Sequence, residues 1–231
     1  MNTTKSDNKQ QKNTENKKPQ PFLKLFVHIL GYGGFAVLHA LRIPYFTLKK
    51  KALSNREVNK AKNIKFPLNG QAVGVLKDMR IGSHTFERSG CGAIATFNAM
   101  AMAGLQPDIV EIVDFYEHKG LIMNAALGVN PLAVKKYLSN SGLSWRRYKG
   151  KQNWSECIGP GQVAIMLYWW VSRKGCGAHY VAMEPCEKGI RVYNFYGNSD
   201  VSYEFEDVQA FLESGNYKRV VSMFVIDKKV N

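Results

Sequence analysis

The stretch Ser89-Gly90-Cys91-Gly92-Ala93-Ile94-Ala95-Thr96-Phe97-Asn98-Ala99-Met100 constrains this chain more than any other. A cysteine stands between two glycines, and a run that reads as a helix follows at once. Ala93, Ile94, Phe97, Ala99, Met100 and Ala101 suit a helix buried in a core. Glycines at 90 and 92 would let the backbone approach a ligand closely or adopt positive φ. A thiol at a helix N-terminus feels the positive end of the helix dipole, which favours thiolate over thiol. Cys91 is therefore a candidate nucleophile. The competing reading is that it is one more small buried hydrophobe, the usual place of a free cysteine.

Charge narrows the choice of partners. The chain has 231 residues and a formal net charge of +14. Residues 1–65 hold 14 Lys/Arg and 3 Asp/Glu, giving +11, and residues 66–231 hold 18 and 15, giving +3. The basic character belongs to the N-terminal part. The remainder has no basic stripe with interleaved aromatics, so a nucleic-acid partner is not expected. The four cysteines, Cys91, Cys157, Cys176 and Cys186, are too few and too irregularly spaced for a disulfide framework. A reducing, cytoplasmic compartment fits them.

Residues 1–21 are polar and basic and read as a disordered tail. Residues 22–46 differ: Leu25 to Leu41 carries no Lys, Arg, Asp or Glu, and Lys24, Arg42 and Lys49-Lys50-Lys51 flank it. Its seventeen uncharged residues stand at the lower edge of what spans a bilayer. Three readings remain open: a span, an interfacial segment held to anionic lipid through residues 22–51 on the cytoplasmic face, or an apolar hairpin packed on protein. Residues 47–69 read as a basic linker, and 70–231 as the folded domain.

Within that domain helices are expected at Cys91–Gly104, Pro107–His118 and Pro131–Asn140, the last with proline in its first turn. Strands follow at Ser144–Tyr148, Gln162–Trp170, Ala178–Glu184 and Ile190–Tyr196. A short helix, Phe205–Glu213, and a last strand, Val220–Ile226, close the chain. Helices first and strands after predict an α+β fold with the helices packed on an antiparallel sheet.

A cysteine nucleophile needs a base, and the base needs an orienting partner. His179 lies on the third of these strands. Asn194 lies fifteen residues later on the next, across a turn near Glu187-Lys188-Gly189. In such a hairpin the Asn194 side-chain oxygen could accept the imidazole N–H and fix its tautomer. Asp200, in the turn Gly197-Asn198-Ser199-Asp200, is the second choice for that role. Tyr168, Trp169, Trp170 and Trp145 read mainly as strand-packing aromatics, with a cleft wall as the alternative. Cys176, His179 and Cys186 would make a zinc site only if they converged; no metal or other cofactor is expected.

Cys-Gly at a helix start, then Gly177-Ala178-His179-Tyr180-Val181 on one strand and Asn194 on the next, resembles the papain-like cysteine peptidases. Within them the chain is most similar to the bacterial branch that processes double-glycine leader peptides. Gly128-Val129-Asn130-Pro131-Leu132-Ala133-Val134-Lys135-Lys136-Tyr137-Leu138 is similar to that branch's linker helix. The resemblance covers roughly residues 70–228 and implies a papain-like fold and a peptide or protein substrate. It implies Cys91 as nucleophile, His179 as general base and acid, and Asn194 as orienting residue. The chain departs from the family about six residues before the cysteine, where the family has an oxyanion-binding Gln. Here Thr85 stands in that place, with His84 beside it; these two are the candidate donors, and Gln71 is too distant in sequence to assign. No transporter domain follows. A catalytically weak or inactive domain that binds peptides or membranes is the alternative to the enzyme.

Overall fold

A computed structural model describes residues 48–60, 62, 64–173 and 175–229. The tail (1–21) and the apolar segment (22–46) lie outside the described residues. The chain order is α1 (Leu48–Lys60), β1 (Arg80–Ile81), β2 (His84–Thr85), α2 (Phe86–Ser89), α3 (Cys91–Met102), α4 (Ile109–Lys119), α5 (Pro131–Asn140), β3 (Trp145–Tyr148), β4 (Gln162–Ser172), β5 (Gly175–Cys186), β6 (Gly189–Tyr193), β7 (Tyr203–Phe205), α6 (Val208–Glu213) and β8 (Tyr217–Asp227). The fold is α+β. β1 and β2 form a hairpin, and the other six strands form one antiparallel sheet in the order β3-β8-β4-β5-β6-β7.

Because α3 has no charged face, every residue from Cys91 to Met100 is buried. It lies between the sheet, where it meets β4 and β5, and α4. α4 and α5 begin with a side-chain cap. Asp108 accepts from the Val110 N–H at 2.7 Å, and Asn130 accepts from the Leu132 N–H at 2.8 Å with Pro131 behind it. α3 has no such cap: α2 runs into it through Gly90, whose N–H donates to the Phe86 carbonyl at 2.8 Å. The first amides of α3 are thus left to the Cys91 end.

Strand alternation divides the core. Val163, Ile165, Leu167, Tyr180, Ala182, Phe224 and Ile226 face the helices. Ala164, Met166, Tyr168, Val181, Met183, Met223 and Val225 face the other way, under α6 and Phe195. The β4–β8 register slips between Leu167 and Tyr168: Leu167 pairs with Ser222 but Tyr168 with Val220. The extra residue, Val221, reverses the alternation of β8 beyond it. Val220 and Lys218 therefore share a face with Met223 and Val225 rather than facing the helices.

Residues 47–69, expected as a linker, carry α1, and that helix is docked. Ala52, Asn55 and Asn59 are its buried stripe. Asn55 donates to the Glu117 carboxylate at 2.5 Å and to the Gly82 carbonyl at 2.8 Å, while Asn59 exchanges two bonds with the Arg80 backbone. Arg56 pairs with Glu111 and Asp114. The sequence hides this helix because its inner face is Ala and Asn, whereas Leu53 and Val58 point outward.

Glu117 makes a testable contribution here. Burial pushes its carboxyl above the ordinary range, opposed by the bonds from Asn55 and the Gly82 N–H. The folded state then holds a proton that the unfolded chain releases near about pH 4.3. Stability through this group is greatest at low pH and falls as pH rises through the folded pKa. Glu117→Gln, which keeps the accepting oxygen, is expected to remove that component. Urea midpoints measured from about pH 4.5 to 7 should decline less steeply in the variant; parallel declines would refute this.

Candidate active site

Cys91 opens α3 and is 8 % exposed. The main-chain amides of Tyr180, Gly92 and Cys91 itself favour thiolate, but burial dominates and pushes the thiol up. The two glycines serve closeness rather than positive φ. Gly90 is helical, with φ −78°, and a Cβ there would lie 2.6 Å from the Phe86 ring. A Cβ on Gly92 would lie 2.8 Å from the Val129 Cβ and 3.4 Å from the Tyr180 ring. The Tyr180 hydroxyl donates to the Val129 carbonyl at 3.1 Å. One residue, Val129, thus seats both the start of α3 and the strand that carries His179.

His179 is half-buried on β5, opposite Tyr168 on β4, whose ring meets it edge-on at 5.8 Å. Its Nε2 lies 2.6 Å from the main-chain carbonyl of Asn194. A carbonyl only accepts, so Nε2 carries the proton and Nδ1 is the basic atom. Burial pulls the imidazole below its ordinary value, and the Asn194 bond partly opposes this. The neutral ring is therefore the form present at pH 7.

The β5–β6 hairpin turns where the sequence predicts, with Cys186 paired to Gly189. Asn194 meets His179 through its backbone, however, not through its side chain. Its φ is +59°, a left-handed conformation that asparagine tolerates better than most residues. That turn ends β6 at Tyr193 and delivers the carbonyl to the ring. The side chain instead accepts from the Gln71 N–H at 3.3 Å, and the Asn194 N–H donates to Asn69 at 2.7 Å.

A cavity of about 350 Å³ opens beside the imidazole, lined among others by Gln71, Tyr168, Trp170, His179, Phe195 and Lys218. Cys91 is not among its lining residues. Gln71, which sequence spacing left unassigned, lines this cavity. It is buried, and its Nε2 donates to the Glu87 carbonyl at 2.7 Å. The 3-10 turn Leu76–Asp78, the β1–β2 hairpin and α2 lie between it and Cys91, which is why linear distance concealed it. His84 and Thr85 pair with Ile81 and Arg80 on that hairpin, and neither lines the cavity. Glu87 is exposed; its contribution is a carbonyl rather than a charge beside the thiol.

Asp200 is exposed, in the turn that the sequence predicts. Tyr168 and Trp170 do form cavity wall, whereas Trp145 packs on Phe224. Cys176 and Cys186 lie near opposite ends of β5, ten positions apart. Extended chain of that length spans on the order of 33 Å, so the two cannot converge on His179.

No protein-family model matches the sequence, and no curated protein matches it at a significant level. Among the described residues no helix is long and apolar enough to cross a membrane.

Proposed function

We propose that this chain is a papain-like cysteine peptidase, or a related thiol acyl-transfer enzyme, acting on a peptide or protein substrate. One observation supports it most. His179 directs its Nε2–H to the Asn194 carbonyl, and the helix that Cys91 opens packs on β5, the strand of His179, where the amide of the next residue, Tyr180, favours the thiolate of Cys91. Thiol, base and orienting group are thereby carried on abutting pieces of backbone.

In this reading the resting pair is thiol and neutral imidazole. Nδ1 of His179 takes the thiol proton as sulfur attacks the peptide carbonyl. The imidazolium then protonates the leaving amine, and the C–N bond breaks to leave a thioester. The neutral ring next deprotonates water, which attacks the thioester, and the proton returns to sulfur as the acid departs. The oxyanion formed in both attacks meets the uncapped amides at the start of α3. Gln71 supplies the second donor, because one Nε2 hydrogen remains after the bond to Glu87.

A second reading, a non-catalytic peptide-binding domain, draws on the burial and raised pKa of Cys91. Incubation of a random peptide pool with wild type and with Cys91→Ala separates the two. New fragments from wild type alone are the expected result. A pool left intact by both proteins, with peptides retained on Cys91→Ala, would favour the binding domain and sink the peptidase reading.

A further inference from the structure

Lys218 is the outstanding group of the cavity that the mechanism leaves unused. It is 8 % exposed, yet no carboxylate pairs with it among the described residues. Its ammonium donates to the Ser214 carbonyl, and at 3.3 Å to the Ser214 hydroxyl and the Asn216 carbonyl. Two of these contacts stand beyond the usual N–H···O range. The ammonium also lies over the rings of Phe195 at 5.2 Å and Phe211 at 5.3 Å. Neutral dipoles and ring faces replace water poorly around a full charge. Burial accordingly lowers its pKa to about 8. The bulge at Val221 is what turns this residue into the cavity rather than toward the helices.

The rest of the lining is uncharged in the resting state. Tyr168, Trp170, Phe195 and Tyr196 form aromatic wall, and among the described residues no carboxylate lines it. The cavity therefore offers one ammonium, a largely aromatic wall and His179 at its side. A volume of about 350 Å³ is in the range of small-ligand pockets.

We propose that this cavity binds an apolar or aromatic group that carries a carboxylate, with Lys218 as the counter-charge. The proposal rests on the peptidase reading only in making that carboxylate part of a peptide substrate. An incoming carboxylate takes over one of the long ammonium contacts as a charge-assisted bond. Two sources share the chemistry: the free C-terminus of a peptide, and an Asp or Glu side chain.

Binding measured on full-length Cys91→Ala, which cannot turn substrate over, tests the cavity apart from the chemistry. The probes are N-acetyl-phenylalanine, N-acetyl-phenylalanine amide and N-acetyl-glutamate α-amide, titrated by calorimetry. At least one acid is expected to bind about tenfold or more tightly than the neutral amide, a difference of about 1.4 kcal/mol. Preference for the first acid identifies a C-terminus, and preference for the second a side chain. Adding Lys218→Met should erase the discrimination, while Lys218→Arg, which keeps the charge and guards against misfolding, should retain part of it. Equal affinity for all three probes, no binding by any, or discrimination that survives Lys218→Met would overturn the proposal. A cavity that passes in a protein that cleaves no peptide would fail the peptidase reading alone.

Discussion

His179→Ala is expected to slow acylation of Cys91 by at least about a hundredfold at pH 7, the usual scale for removing a positioned general base. The pH profile carries the stronger test. In the proposed mechanism the wild-type reactive form is thiol plus neutral imidazole. Its acid limb should follow the His179 pKa, which burial holds below the ordinary value of about 6.5. The rate then rises through that pKa and levels off by neutrality. Without the imidazole only free thiolate reacts. Burial raises the Cys91 pKa, so the variant's rate should climb steadily past pH 8.5, an ordinary thiol value of about that size. Haloacetamide labelling read peptide by peptide checks this, with exposed Cys176 as reference in the same molecule. Wild-type labelling that stays rapid down to about pH 4, with no acid limb at the imidazole, would instead mean a preformed thiolate–imidazolium pair, contrary to the pKa directions here. Identical profiles in the two proteins would mean that His179 does not serve Cys91.

The parts legible in the sequence are those set by local chemistry. An uncharged run after Cys91 has to be a buried helix, and it is. Asn130-Pro131 caps and starts α5 where those residues indicate. The alternation around His179 and the Gly189 turn give the β5–β6 hairpin, which brings positions 179 and 194 together. Even there the sequence indicates the residue but not the atom. The type of side chain at 194 suggests an amide acceptor, whereas its tolerance of positive φ is what delivers the carbonyl.

What remained hidden depends on register or on distant segments. A one-residue bulge decides which way Lys218 faces, and no composition or spacing marks Val221 as the extra residue. α1 docks through small and amide side chains whose partners, Gly82, Arg80 and Glu117, lie far along the chain. Gly90 and Gly92 are required by Phe86 and Val129, contacts that exist only once the helix is placed. Gln71 belongs with these, because its partners Glu87 and Asn194 lie far along the chain, beyond a turn and a hairpin.

Gln71→Leu is expected to lower kcat by on the order of a hundred- to thousandfold, the cost of losing one oxyanion donor, while KM changes little. The assignment follows from how the amide is held. Glu87 offers a carbonyl at 2.7 Å, so the NH2 side of the amide must face it and the orientation is fixed. Its main-chain N–H is tied to Asn194, the residue that also orients His179. Gln71 lines the cavity that the imidazole also lines, and one Nε2 hydrogen is left over from the bond to Glu87. Thr85→Ala and His84→Ala, on the hairpin, should stay within about twofold of wild type, as surface changes away from the reacting atoms do. Melting temperatures guard against a folding defect, since the side chain is buried. Full activity in Gln71→Leu together with a large loss in Thr85→Ala would return the oxyanion role to the hairpin. A rise in KM with kcat unchanged would make Gln71 a binding contact that does not distinguish the transition state from the substrate.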